Sequence, residues 1–464
     1  KAGSPNVYLI AVDTLRADYL TAFNASATPK TPHVSALAED SVVFQNAFAQ
    51  SSWTKASFGT IFSGMYPEAH TATGKASGLP DDVTTIAEVL RGAGYYTQGY
   101  SNNPNITSIF NYNQGFENYT DLKPNLLFGA QPSCEKLVLY DILRKVVQKV
   151  NAKFLGGRID ITDFYQPANA VTDTGLSWLD SAARPADGPF YLFMHYMDPH
   201  DPFRDPDRPG KGYARVQMGN PDPEKYLETF KKSYSYEIEY MDEHLGRFIA
   251  GLKERGLYDD ALIIFTADHG EEFYEHGGWW HGLSLYDEQI AIPLMIKLPN
   301  SEVTEVNTDL ARHVDIAPTV ATLVGLPLAE QWQGKSLISE SLDLQNGDTA
   351  YVHAHLNFEG IELRALRTGT RKLIEANEGN KRGYAPIELY NLTTDPTEQE
   401  NLAETSPAEV TLFQGTLSEM NQFIQEKAAE PMQLNLEGMS DDEKAQLEAL
   451  GYLGGDENEE DLGF

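Results

Sequence analysis

Disulfide chemistry is nearly excluded from the outset: the 464-residue chain has one cysteine, Cys134, which can form no internal bridge. It sits in a polar stretch with no CxxC pattern and no nearby histidine, so it reads as an incidental thiol. Long apolar runs are missing too; none approaches the roughly 20 residues of a membrane-spanning helix. Basic residues are scarce, 35 Lys and Arg against 68 Asp and Glu, giving a formal charge of −33. That balance argues against nucleic acid and anionic membranes, which must be met by cationic surface. An anionic small molecule remains acceptable wherever a metal and imidazoles override the global field. What is present is ordinary for a globular protein, 41% hydrophobic and 22% charged. The length exceeds what one core usually serves, so a large domain with a smaller companion is expected.

Three apolar runs carry the organisation. Residues 6–12 (NVYLIAV), 190–195 (FYLFMH) and 261–266 (ALIIFT) each read as a buried parallel strand ending at or just before an Asp or His. Between them, 84–94 and 236–256 space apolar residues at three and four, with Gly near the end, and predict helices. Strands alternating with helices predict a doubly wound, mostly parallel sheet whose ligands bind at the carboxyl ends of the strands. Asp13, His195 and Asp268 lie at those ends.

The alternation fades after 323–337. We therefore expect a catalytic domain over 1–340 and a small α+β unit over 341–453, with strands at 361–374 and 386–392 and a helix at 402–427. Residues 454–464 (GGDENEEDLGF) read as an acidic solvated tail.

Residues 51–67 (SSWTKASFGTIFSGMYP) place hydroxyls where a helix of small residues begins. A hydroxyl there feels the helix dipole and the free N–H groups, which favour an oxyanion. The plainer alternative is that Ser52 or Thr54 simply caps the helix. Asp268 and His269 follow the third strand and open DHGEEFYEHGGWWHG, rich in carboxylate and imidazole. Hard oxygen plus imidazole nitrogen suits a divalent cation, and Asp13 on the same sheet edge strengthens that reading. HYMDPHDPF adds His195, which a structural core histidine would equally explain, and His200.

In this order, VDTLRAD, the hydroxyl segment closing on GMYP, HYMDPHDPF and DHG with a later HG resemble the sulfatases and phosphonate monoester hydrolases of the alkaline phosphatase superfamily. DIAPTVATLVGLP, RALRTGTRKLI and ELYNLTTDPTEQENLA extend the resemblance over almost the whole chain. It implies an alkaline-phosphatase-like α/β/α sandwich with a mostly parallel sheet, plus a small C-terminal α+β subdomain with a short antiparallel sheet.

Sulfatases open the reactive motif with a Cys or Ser that becomes formylglycine. Counting back from Gly64-Met-Tyr-Pro67, that position is Thr54, which cannot be so converted, and Phe58 stands where the family arginine would be. The resemblance then implies an unmodified Thr54 nucleophile and tilts the substrate toward a phosphate diester, monoester or phosphonate. A sulfatase working without formylglycine is the alternative, and a noncatalytic anion-binding protein a third reading. Asp13, Thr54, Asp268 and His269 are the implied ligands of one divalent ion, with Zn²⁺ or Mn²⁺ favoured over Ca²⁺ because His269 supplies nitrogen. Thr14 replaces a second ligating Asp of many sulfatases. Asn102 or Asn103, His200 and Lys55, the last in compensation for the absent family Lys and Arg, are the expected anion contacts, and His200 and His281 the acid candidates. Small-molecule, saccharide or lipid-linked esters are the expected substrates. Lys1 is not a translation start, so a cleaved leader and export are expected.

Overall fold

The computed structural model describes residues 4–124, 164–207, 212–345 and 351–434, together with Lys444 and Leu447. Cys134 and the tail over 454–464 lie outside the described residues.

The central sheet uses β1 (Val7–Val12), β2 (Val42–Phe48), β3 (Tyr96–Ser101), β4 (Asn118–Asp121), β5 (Phe190–Tyr196), β6 (Leu262–Ala267), β7 (Ala291–Ile292), β8 (Leu294–Lys297) and β9 (Glu305–Arg312). Their spatial order is β7-β2-β8-β6-β1-β5-β3-β4, with β9 also parallel to β2. Only β7 and β8 run against the rest. β1, β5 and β6 are buried along their whole length, which is why they read as continuous apolar runs rather than alternating ones.

Helices cover both faces: α1 (Pro32–Glu39), α2 (Thr54–Ser63), α3 (Ile86–Gly92), α4 (Ala168–Asp180), α5 (Pro223–Glu254) and α6 (Ile316–Leu323). The pleat sorts them. Leu9 is level with Phe193, and Tyr8 with Leu192. Phe193 packs edge-on against Phe62 and Phe58 of α2, at 5.0 and 5.6 Å. Tyr8, on the opposite face, meets Phe248 of α5 at 6.2 Å. The result is the expected α/β/α sandwich.

The second sheet is antiparallel, in the order β10 (Val352–Phe358), β11 (Ile361–Arg367), β12 (Arg371–Ala376) and β13 (Ile387–Asn391). Where the sequence suggests one strand over 361–374, the chain makes a hairpin instead. β10, absent from the sequence reading, completes the sheet. Leu366, Leu373 and Leu389 pack against Val410, Phe413 and Leu417 of α7 (Pro407–Gln425). Phe358, Leu363 and Ile374 join the main core instead, so this small sheet is sandwiched between its helix and the large domain. α5 begins well before the expected 236, because Asp222 accepts from Glu224 N and Pro223 occupies the first turn.

Candidate active site

The site forms where β1, β5 and β6 end level. Val12 pairs with Tyr196 on one side and Ala267 on the other, so Asp13 and Asp268 emerge side by side. Asp13 N donates to Tyr196 O at 2.8 Å, which fixes the first turn beyond the strand. Asp268 Oδ1 accepts from Thr14 N and His269 N, at 3.0 and 2.9 Å. One position back along β5, His195 places Nε2 3.4 Å from Asp13 Oδ2. One ligand atom each from Asp13, His195 and Asp268 lie within 4.8 Å of one another, all three residues buried.

This donor set fits a divalent cation. Asp13 Oδ1, Asp268 Oδ2 and both ring nitrogens of His195 are buried without a hydrogen-bond partner, a costly arrangement unless a cation occupies the space between them. Charge tells the same story. Burial alone would raise Asp13, but the imidazoles of His200, His195 and His269 hold it down at about 2. Asp268 is driven well above the ordinary range by burial and then by the charge of Asp13. His195 thus joins the expected ligands; its strand register, level with Ala11 and Thr266, is what the sequence alone does not display.

Thr54 arrives from the other side. It is the first residue of α2, and Trp53 is the N-cap with no side-chain cap bond. The helix therefore presents its first N–H groups uncapped, and neither Ser52 nor Thr54 serves as a cap. Thr54 Oγ1 lies 3.3 Å from His269 Nε2 and 3.5 Å from Asn103 Nδ2. Asn103 Nδ2 also donates to Asp13 Oδ2 at 2.8 Å. His269 Nδ1 meets the carbonyl of Gly270 at 2.9 Å, so Nδ1 carries the proton and Nε2 keeps its lone pair toward Thr54. Burial lowers His269 to about 4.

His200 and His281 complete the wall. Their rings lie 4.8 Å apart, and His281 is 4.7 Å from His269. His200 Nδ1 donates to Asp201 O at 2.5 Å. His281 Nδ1 lies 3.2 Å from both carboxyl oxygens of Glu271, a partner hidden within the acidic run DHGEE. Burial and then the charge of Asp201 push Glu271 well up, while burial first, and then the nearby His269, His200 and Arg215, push His281 well down.

Two expected contacts are not brought here. Lys55 is fully buried, with Nζ donating to the carbonyls of Gly74 and Lys75 at 3.3 and 2.6 Å and lying 3.4 Å from the ring centroid of Phe110. Asn102 spends its amide on Gln166, donating to O at 2.6 Å and accepting from N at 2.9 Å. Phe58 packs on Phe193 and on His195, the latter at 5.1 Å, so the family arginine's place is apolar here.

Comparison with known proteins agrees with this geometry. Residues 5–326 match the Sulfatase family model, and residues 274–429 match the model described as N-sulphoglucosamine sulphohydrolase, C-terminal. The chain belongs to the sulfatase family, ester hydrolases of the alkaline phosphatase superfamily. It is similar to choline-sulfatase of Rhizobium meliloti (strain 1021), 25% identical over 453 residues that span 87% of this chain and 83% of the relative. Arylsulfatase K of Bos taurus is 23% identical, covering 87% and 79%. The fold superposes on phosphonate monoester hydrolase of Agrobacterium radiobacter with a TM-score of 0.69 and 22% identity, over 90% of this chain and 96% of that one.

Proposed function

We propose that the protein hydrolyses phosphate esters, diesters or monoesters and phosphonates, with unmodified Thr54 as nucleophile. The observation that carries this is the Thr54 hydroxyl at an uncapped helix start, facing the His269 lone pair beside unpartnered carboxylate oxygens of Asp13 and Asp268. Asp13, Asp268, His269 and Thr54, with His195, would hold one divalent ion, Zn²⁺ or Mn²⁺ by donor chemistry with Ca²⁺ as the alternative. Such an ion supplies Lewis acidity and a lowered hydroxyl pKa.

The chain's own groups divide the remaining work. Asn103 and His269 fix the Thr54 rotamer, and the first N–H groups of α2 face the charge that develops on the nonbridging oxygens. His200 lies where its ring can donate to the same anion. With its proton released to solvent, Thr54 Oγ1 bonds to phosphorus as the ester P–O bond breaks, and the departing alcohol takes a proton from His281, which Glu271 backs. Water then cleaves the phosphothreonine, giving a proton back to His281 while Thr54 Oγ1 leaves in the deprotonated form in which it attacked. Two displacements retain configuration at phosphorus.

Family membership favours a second reading, sulfate-ester hydrolysis through the same threonine. A panel of matched 4-nitrophenyl phosphate, phosphonate and sulfate esters tests both readings. Higher kcat/KM on the phosphorus esters supports the first, and a clear preference for sulfate overturns it. Mass spectrometry of the peptide spanning 51–67 should show no aldehyde at Ser51, Ser52 or Ser57. An export route and a saccharide or lipid-linked alcohol remain part of the proposal, and the division at residue 340 fits a second sheet that starts at Val352.

A further inference from the structure

Thr14 holds a backbone conformation that threonine rarely adopts. It follows Asp13 beyond the end of β1 with φ +54°, in the left-handed region where a β-branched residue is strained and persists only if its surroundings impose it. The strained residue reaches the site through its backbone, Thr14 N donating to Asp268 Oδ1 at 3.0 Å. Together with His269 N it occupies that oxygen, which leaves Asp268 Oδ2 buried and unpartnered in the cluster with Asp13 and His195.

What imposes the conformation comes from outside the sheet. Tyr234 of α5 is fully buried, and its hydroxyl donates to Thr14 O at 2.6 Å while accepting from Arg16 N at 3.0 Å. One hydroxyl thus bridges the carbonyl and the N–H on either side of Leu15 and closes the turn as a direct bond between them would. Burial holds the phenol well above its ordinary range, so the hydroxyl keeps the proton it donates. Its ring is fixed as well, with centroids 4.9 Å from both Tyr19 and Phe273. Arg16 carries the turn across to the next strand end, its Nη1 donating to Glu271 O at 3.0 Å.

We propose that Tyr234 is a positioning residue for the divalent ion: its hydroxyl holds Thr14 in the left-handed conformation that turns Thr14 N onto Asp268 Oδ1 and frees Oδ2 for the ion. It acts through the Asp13–Arg16 turn rather than by touching ion or ester. Groups that orient metal ligands in this way are worth about 10–100-fold in metal affinity. The inference rests on the reading of Asp13 and Asp268 as ligands of one ion.

The test is titration of Zn²⁺ and of Mn²⁺, each alone, into chelator-treated wild type, Tyr234→Phe, Tyr240→Phe and the double variant Tyr234→Phe/Thr14→Gly, in competition with a chromophoric chelator. Phenylalanine keeps the packed ring and removes only the hydroxyl. Tyr240 lies on the same helix but donates to Asn169 Oδ1, at 2.8 Å, so Tyr240→Phe controls for the loss of one hydroxyl from α5. For the ion that wild type binds more tightly, Tyr234→Phe should weaken affinity about tenfold or more, and Tyr240→Phe should leave it as in wild type. Glycine adopts positive φ without strain, so the double variant should recover most of the loss. Unchanged affinity in Tyr234→Phe, an equal loss in Tyr240→Phe, or no recovery in the double variant overturns the proposal. Should wild type itself take up neither ion, the reading of Asp13 and Asp268 as ligands fails and takes this inference with it. Uptake by wild type with unchanged affinity in Tyr234→Phe overturns the inference alone.

Discussion

At the scale of single residues, neighbours in sequence serve opposite ends of the structure. Thr54 and Lys55 are adjacent, yet a helix turns about 100° per residue, so one hydroxyl faces His269 while the next amine is carried to the Gly74 and Lys75 carbonyls. Sequence spacing from Gly64 places Thr54 correctly at the helix start but cannot supply that phase for Lys55. The same holds for Asn102 and Asn103, of which only Asn103 bonds Asp13. Thr54→Ala should lower kcat by about 10³ or more while ester binding persists, and Thr54→Ser should keep appreciable activity. Steady-state kinetics decides; a Thr54→Ala enzyme as fast as wild type would make water the direct nucleophile. His281→Ala should separate substrates by leaving group. Alkyl esters, which need a proton, should lose about 10²–10⁴ in rate, and 4-nitrophenyl esters much less. Equal losses on both would remove His281 from the acid's place. The imidazole of His195 is the candidate ligand that the geometry adds, and His195→Ala should reduce metal content in elemental analysis along with thermal stability. Full retention of metal would return His195 to a packing role.

Among elements, the parallel strands are legible in the sequence because burial on both faces leaves an unbroken apolar signature, and their Asp and His ends point to one sheet edge. The C-terminal sheet was less legible. The β11–β12 hairpin turns over only Thr368-Gly369-Thr370, a short break inside a run of strand-forming residues, and β10 alternates Val-His-Ala-His-Leu with its histidines buried, masking the period. To that sheet's apolar packing on the large domain a polar lock is added: Lys372 on β12 is fully buried and reaches Asp287 and Glu398 at 2.8 Å each. Arg367 also pairs with Asp287, at 3.1 Å. Removing one member of such a group strands the others, so Lys372→Met should cost about 3–5 kcal/mol in chemical denaturation. Adding Glu398→Gln should recover part of that loss. A single variant as stable as wild type would show that the triad is dispensable to docking.

For the molecule as a whole, the attachment of its two parts should be sensitive to pH through His276, which lies between them. Nδ1 faces Glu288 Oε1 at 2.6 Å, Nε2 faces Glu398 O at 3.0 Å, and the ring stacks on Tyr286 with centroids 3.6 Å apart. Gln399 Nε2 is the remaining polar neighbour, 3.1 Å from Nε2. Burial alone would lower this imidazole, but the hydrogen bond and charge of Glu288, with the Glu398 carbonyl, outweigh it and raise the group to about 9. A folded-state value above the ordinary 6.5 of an unfolded chain means that the folded protein binds the proton more tightly. The stabilisation is therefore complete below about pH 6.5 and fades as pH rises through about 9. His276→Gln should thus lower Tm most at pH 6 and least near pH 9.5, flattening the decline of the wild type between those values. Parallel wild-type and variant curves across that range would show that His276 stays neutral and that the two parts are joined without it.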